Sequence, residues 1–405
     1  MFTTIYDGVA RDVQKGPTSA VLLIKRDESE GRFLATILFS NPTESVVFRS
    51  ADSHYLTEKL QEFESAFSAI TSASNDWHKN NISKYSNMTG LQQSDVDTFT
   101  KQLRISAYKL SDALFYEHKT SSGYEAGGLT ELHEIILRRQ PSEVHIFSSH
   151  FFKPWNLFSF KQNGPWFGEL AFFRTQHTFR ERGVSKLCDW IVGPARPFVA
   201  GYADYNALET SVAKAGPMAE LAILKTFLGG ATFVRELGAL PTGQFALSSC
   251  DQLLTFLSEK GRRYFHFNCH LEVQNEPSAS FHKVSFTDDA HVAQDRTALE
   301  VPPDCGILLN MCSSASPLSN RDASLAQRYL DLGFVAVCGT TGAVSDHFSS
   351  AFAKFLYDGC DRNETFYAAV LRARMELFQV SKHPLAFLYS FSGDDNFVLK
   401  PLVTS

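Results

Sequence analysis

Two short stretches hold residue types that can do chemistry together. Residues 266–270 read HFNCH, and 42 positions beyond the second histidine lies Cys312, at the centre of NMCSS. Each stretch closes an apolar run of the kind that forms a buried strand. His266, Cys269 and His270 are all side chains that bind zinc or iron. Strand geometry separates them, however: His266 and His270 would share a face about 13 Å apart, four steps of roughly 3.3 Å, with Cys269 on the other face. No metal is therefore expected. Haem attachment also fails, because a cysteine would have to stand at position 266. Two readings stay open. In one, Cys312 is a small buried hydrophobe and His270 a hydrogen-bonded histidine near the surface, as is common for both residue types. In the other they form a dyad, in which the imidazole takes the thiol proton and the thiolate attacks a carbonyl carbon.

Local context bears on the choice. Cys312 is followed by SSASPLSN, a small and polar loop that leaves a sulfur accessible. Adjacent parallel strands ending at one edge lie about 5 Å apart, so side chains from both tips can converge on one carbonyl. Segment 271–305 is long enough for the crossover between them. Backbone N–H groups at the strand tips, those of Leu271 and Cys312, would then cradle the oxyanion that forms on attack.

The elements that must position these residues follow from periodicity. SAVLLIKRD, RFLATILFS and SVVFRS are β-rich runs broken by turn residues, an antiparallel meander. Leu56, Leu60, Phe63, Phe67 and Ile70, then Val96, Phe99, Leu103, Leu110 and Leu114, keep helical spacing and predict two long amphipathic helices. HKTSSGYEAGG, residues 118–128, reads as a flexible loop, and SEVHIF and GELAFFR as strands. From about residue 196 strands and helices alternate: PFVAG, ATFV, RYFHFNCH, GILLNMC and GFVAVCG, with helices near 216–228, 249–260, 322–332, 346–357 and 364–380. Such alternation predicts a mostly parallel sheet flanked by helices, with reactive groups at the carboxyl edge of its strands.

Composition narrows the class. A chain of 405 residues with 44% hydrophobic content buries a large core and holds one large or two medium domains. The net charge of −6 gives no general attraction to nucleic acid or anionic membrane, so neither is an expected partner. No run of about eighteen apolar residues occurs, and MFTTIYDGVARDV lacks the basic and apolar regions of a signal peptide. Seven cysteines, odd in number and scattered among apolar residues, suggest reduced thiols and a cytoplasmic location.

A strand ending in histidine, a crossover, a strand ending in cysteine, a third strand and two helices is an order that resembles the caspase-like cysteine proteases. The closer resemblance is to the bacterial CHAT family, related in fold to separase. HFNCHL is similar to that family's HFACHG, LNMCSS to its LSACET, and KPWNLFSF to its IPWELL. SVAKAGPMAELAILKTFLGGATF, with Glu220, resembles the family's helix before an AT turn. EPSASFHKVSFTDD resembles its link and short hairpin, and FLYDGCDRNETFYAAVLRAR its closing helices. Leu271 stands where the family has glycine, and GTTGAVSD lacks a tryptophan often present there.

The resemblance implies an N-terminal accessory layer over residues 1–140 and a caspase-like protease domain over 141–405, with its core at 196–401. It implies a cysteine endopeptidase without cofactor, His270 acting as base and Cys312 as nucleophile. The family setting implies a bacterial antiphage or cell-death pathway, an activating sensor or repeat protein, and a protein substrate such as a pore-former, toxin or regulator. A catalytically silent scaffold and a thiol-dependent acyl transferase are the alternatives. By strand alternation Asn268 and Asn310 share a face with His270 and Cys312, and either floor the substrate pocket or hydrogen-bond the sheet. Thr340 and Thr341, read as loop residues after the third strand, either pair with substrate as an added strand or serve only the loop.

Overall fold

Ala20, Val21, Leu22 and Ile24 make the first strand apolar on both faces, and its place in the sheet explains why. The computed structural model describes residues 19–39, 45–80, 93–148, 154–176, 264–267, 270–276, 279–285, 291–293, 305–315, 324–344, 346–362 and 364–399. In it β1 (Ser19–Asp27) lies between β2 (Arg32–Phe39), antiparallel, and β6 (Glu143–Ser148), parallel. The β1–β2 turn is closed by Asp27, whose carboxylate accepts from the Ser29 amide at 3.0 Å and hydroxyl at 2.6 Å. The meander continues into β3 (Ser45–Arg49), as the sequence predicts.

Residues 117–126 depart from expectation. The flexible loop is instead a hairpin of β4 (Glu117–Thr120) and β5 (Gly123–Ala126), paired to β3 through Phe48 and Arg49. The Thr120 and Ser122 hydroxyls both donate to the Glu125 carboxylate, and Gly123 supplies φ 134°, so polar residues that read as loop instead close a tight turn. With β7 (Phe172–Gln176) parallel to β6, the seven-stranded sheet has the order β5-β4-β3-β2-β1-β6-β7.

Both predicted helices are present. The first, α1 (Ser53–Asn80), begins at Asp52, whose carboxylate accepts from the amides of His54 and Tyr55. It buries Leu56, Phe63 and Ile70, while α2 (Gln93–Leu114) buries Leu103, Ala107 and Leu110. Phe63 meets Phe158 edge to face at 5.7 Å, and Phe158, Phe160 and Phe173 surround Phe167. The third helix, α3 (Gly128–Arg139), precedes β6, and the short α4 (Phe167–Leu170) precedes β7.

The chain divides into two compact units, Met1–Ala73 with Gln92–Cys188, and Ser74–Leu91 with Asp189–Ser405. In the first unit β6 extends the N-terminal sheet by pairing with β1 from Ser19↔Glu143 to Ile24↔Ser148.

In the second unit β8 (Tyr264–Phe267), β12 (Gly306–Leu309) and β13 (Ala336–Thr340) are parallel, and β14 (Tyr389–Gly393) joins β13 antiparallel. The crossover from β12 to β13 runs through α5 (Leu325–Asp331), capped by the Ser324 hydroxyl, which accepts from the Gln327 amide. Helices α6 (Asp346–Asp361) and α7 (Phe366–Ser381) follow. Phe352 of α6 stacks on Tyr389 at 3.4 Å, and Phe366 of α7 packs against Tyr264, Phe391 and Phe397. The expected strands at PFVAG and ATFV, the helices near 216–228 and 249–260, and Glu220 lie outside the described residues. Among the described residues no helix is long and apolar enough to cross a membrane.

Candidate active site

The described parts of RYFHFNCH fall in two strands of two sheets. The first pairs β12 as far as Phe267, and His270 opens the second, β9 (His270–Glu276). This strand belongs to a three-stranded sheet with β10 (Ala279–Ser285) and β11 (His291–Ala293), where His270 pairs Ser285 and Leu271 pairs Val284. The crossover thus carries its own antiparallel sheet. Two sequence arguments change as a result. The 13 Å spacing from His266 to His270 and the shared face of Asn268 and His270 both assumed one unbroken strand. Asn268 itself lies outside the described residues.

The register of β8 and β12 remains informative. Phe267 pairs Leu309, so His270 and Cys312 each leave the parallel sheet three residues beyond the same matched pair, at the carboxyl edge. Cys312 is partly exposed, whereas Cys305, Cys338 and Cys360 are buried. Burial holds the Cys338 thiol far above the usual thiol range, which makes it a poor nucleophile. The Cys312 thiol donates to the carbonyl oxygen of Val344 at a sulfur–oxygen distance of 3.5 Å. That contact uses the thiol proton, so it is lost when the sulfur ionises.

The turn that carries Cys312 is stitched to the end of β13. Ser313 adopts φ 57°, a conformation that non-glycine residues seldom take. Its amide donates to the carbonyl of Gly342 at 3.0 Å. The hydroxyl of Ser314 donates to the Leu309 carbonyl and accepts from the Thr340 amide, both at 3.0 Å. The Ala315 amide reaches the Thr340 carbonyl at 2.8 Å, and that of Ala326 the Ser314 carbonyl at 2.9 Å. Space is reserved for the clamp at Gly339, where a Cβ would come within 2.7 Å of the Ser314 hydroxyl.

The other predicted site residues take different roles. Asn310 is 3% exposed; its amide nitrogen donates to the Ser349 carbonyl at 3.1 Å and its oxygen accepts from the Tyr389 hydroxyl at 2.9 Å. Of the two sequence readings, this geometry matches the one in which Asn310 ties the sheet to its surroundings. Thr340 is the last residue of β13 and not a loop residue. It is fully buried and pairs Tyr389 of β14 on one side, while its amide and carbonyl are bound to Ser314 and Ala315. A substrate strand has no open edge to join there. Thr341 does follow the strand, but its amide and hydroxyl both donate to the Leu388 carbonyl, at 2.8 and 3.0 Å.

His266 is fully buried, with Nδ1 2.7 Å from the Tyr357 hydroxyl, which lies 2.8 Å from the hydroxyl of Tyr264. Within the sheet this histidine is part of a structural chain of hydrogen bonds. Tyr357→Phe is expected to cost about 1–3 kcal/mol by leaving buried polar atoms without that hydroxyl. Thermal melts should show the loss, and the rate at which an alkylating agent reaches Cys312 in the folded variant should stay unchanged. Sequence reading missed Ser314, Val344 and Tyr357. The serine alone had a signal, as a small polar residue beside a strand-end cysteine.

No protein-family model matches the chain, and no curated protein sequence matches it. Solved structures do. The Saccharomyces cerevisiae separase–securin complex determined at 3.0 Å is similar with a TM-score of 0.55 and 11% identity, covering 96% of this chain and 31% of that one. The same complex at 2.6 Å gives 0.53 and 11%, with coverage of 98% and 31%. The chain therefore spans about a third of the length of those chains. At this identity the likeness shows the fold, a caspase-like α/β arrangement.

Proposed function

We propose that the chain is a cysteine endopeptidase, with Cys312 as nucleophile and His270 as base. The observation that carries the reading is the register of β8 and β12, in which Phe267 pairs Leu309, so that His270 and Cys312 each follow that pair by three residues, with Cys312 partly exposed. In the proposed reaction His270 takes the thiol proton and the sulfur bonds to the scissile carbonyl carbon, whose π electrons move to oxygen. The amides of Leu271 and Cys312 hold that oxyanion. Collapse breaks the C–N bond, the amine leaves with the proton from His270, and a thioester remains. Water, deprotonated by His270, then releases the acid and restores the thiol. Asn268 is the pocket-lining candidate that stays in this reading.

The motif order in the sequence supports a CHAT-type protease that works in the cytoplasm on a dedicated protein, in antiphage or cell-death signalling, after a partner or signal switches it on. Separase in the similar structures is held by securin, a protein partner, which supports protein-level control. The Val344 contact supports a resting form of the thiol.

The test is mass-spectrometric mapping of thiols after treatment with an alkylating peptide ketone at neutral pH. Cys312 should be labelled at least about tenfold faster than any other cysteine, since rate follows thiolate fraction and exposure. Preferential labelling of another cysteine would overturn the assignment. A reactive Cys312 whose acyl group passes to amines and not to water would indicate an acyl transferase, and an inert Cys312 under every activating condition a scaffold.

A further inference from the structure

The hydroxyl of Thr340 shares its single proton between two carbonyl oxygens, that of Met311 at 2.7 Å and that of Gly342 at 2.9 Å. These acceptors bracket the nucleophile. Met311 contributes the peptide group that ends in the Cys312 amide, and Gly342 accepts from Ser313, the residue after the nucleophile. Both peptide groups that flank Cys312 are therefore fixed through one buried side chain.

The consequence lies in the planarity of the peptide bond. The Met311–Cys312 bond is trans, as are all the described peptide bonds, so its N–H points opposite to its C=O. Drawing the Met311 carbonyl onto Thr340 at the end of β13 aims the Cys312 amide away from that strand. The unusual φ of 57° at Ser313 then turns the chain back, where the Gly342 carbonyl takes the next amide. Thr340 thus sets the plane of the one peptide whose N–H belongs to the nucleophile itself.

We propose that Thr340 is a positioning residue that aims the Cys312 amide at the developing oxyanion, an inference that rests on Cys312 being the nucleophile. A preoriented donor acts where charge appears in the transition state, and it matters for attack on carbonyl carbon. It does not matter for simple alkylation of the same sulfur, in which no oxyanion forms. The two reactions therefore separate aim from reactivity.

The experiment compares wild type, Thr340→Val, Thr340→Ala and Thr340→Ser with two probes. Iodoacetamide alkylates the thiol directly, losing iodide. p-Nitrophenyl acetate acylates it through a tetrahedral oxyanion, releasing p-nitrophenolate and leaving a thioester. Thr340→Val keeps the side-chain shape and removes the proton donor; it should slow acylation of Cys312 by about 10- to 100-fold while alkylation changes by less than about threefold. Thr340→Ser should retain wild-type acylation. Thr340→Ala serves as the readout if the valine variant does not melt cooperatively. Equal losses with both probes in the folded variants, or no loss with either, would overturn the positioning role. A wild-type Cys312 that neither probe modifies selectively would overturn the nucleophile assignment first, and this inference with it.

Discussion

His270→Ala should slow substrate cleavage by about 10²- to 10⁴-fold, the range general acid–base catalysis contributes, with the melting temperature nearly unchanged. Two effects combine in that loss. Without the imidazole, the thiolate at Cys312 must form by release of its proton to solvent, and the departing amine must leave without a positioned proton donor. The two can be told apart by pH. Alkylation of Cys312 at pH 7 should fall at least about tenfold, then recover above about pH 9, where an exposed thiol ionises unaided. Cleavage should not recover, because the leaving group still needs its proton. The measurement is the rate of Cys312 labelling between about pH 6 and 10 beside peptide cleavage by the same preparations. Labelling that ignores His270 at every pH would remove it from the site.

Asn310→Leu should carry the largest stability cost among the residues near Cys312, about 2–4 kcal/mol. The side chain sits one residue past β12 at 3% exposure, with its nitrogen on the Ser349 carbonyl and its oxygen on the Tyr389 hydroxyl. Leucine fills a similar volume and satisfies neither partner. Tyr389 cannot turn easily to another acceptor, because its ring is stacked on Phe352 at 3.4 Å. Denaturant melts should show the loss directly. Peptide-library profiling of the folded fraction should show an unchanged preference, since Asn310 is bonded within the sheet. A changed preference at wild-type stability would restore the pocket-lining role that strand alternation suggests.

Asn310 and Thr340 show where reading a sequence reaches its limit. Alternation along a strand is a local rule, and it marks Asn310 as a residue on the same face as Cys312. It does not say whether that face meets substrate or meets α6 and β14, which arrive 39 and 79 residues later. Likewise, the pair of threonines after GFVAVCG reads as loop because nothing local reveals that β14 returns antiparallel and makes Thr340 an interior sheet residue. Glu143–Ser148 is a third case. Its strand character is plain from SEVHIF, but its attachment to β1, more than a hundred residues earlier, is a pairing that no local pattern reveals.

The sequence by itself determined the parts that depend on short-range periodicity and residue type. These are the β1–β3 meander, the helices α1 and α2, and the apolar strands β8, β12 and β13, although β12 ends at Leu309 and not at Cys312 as GILLNMC suggests. Tertiary structure decided what needs pairing across distance. It paired Phe267 with Leu309 in one sheet and His270 with Ser285 in another. It also gave Ser314 and Thr340 their roles, since their hydroxyls act on carbonyls and amides that the fold alone brings within hydrogen-bond reach.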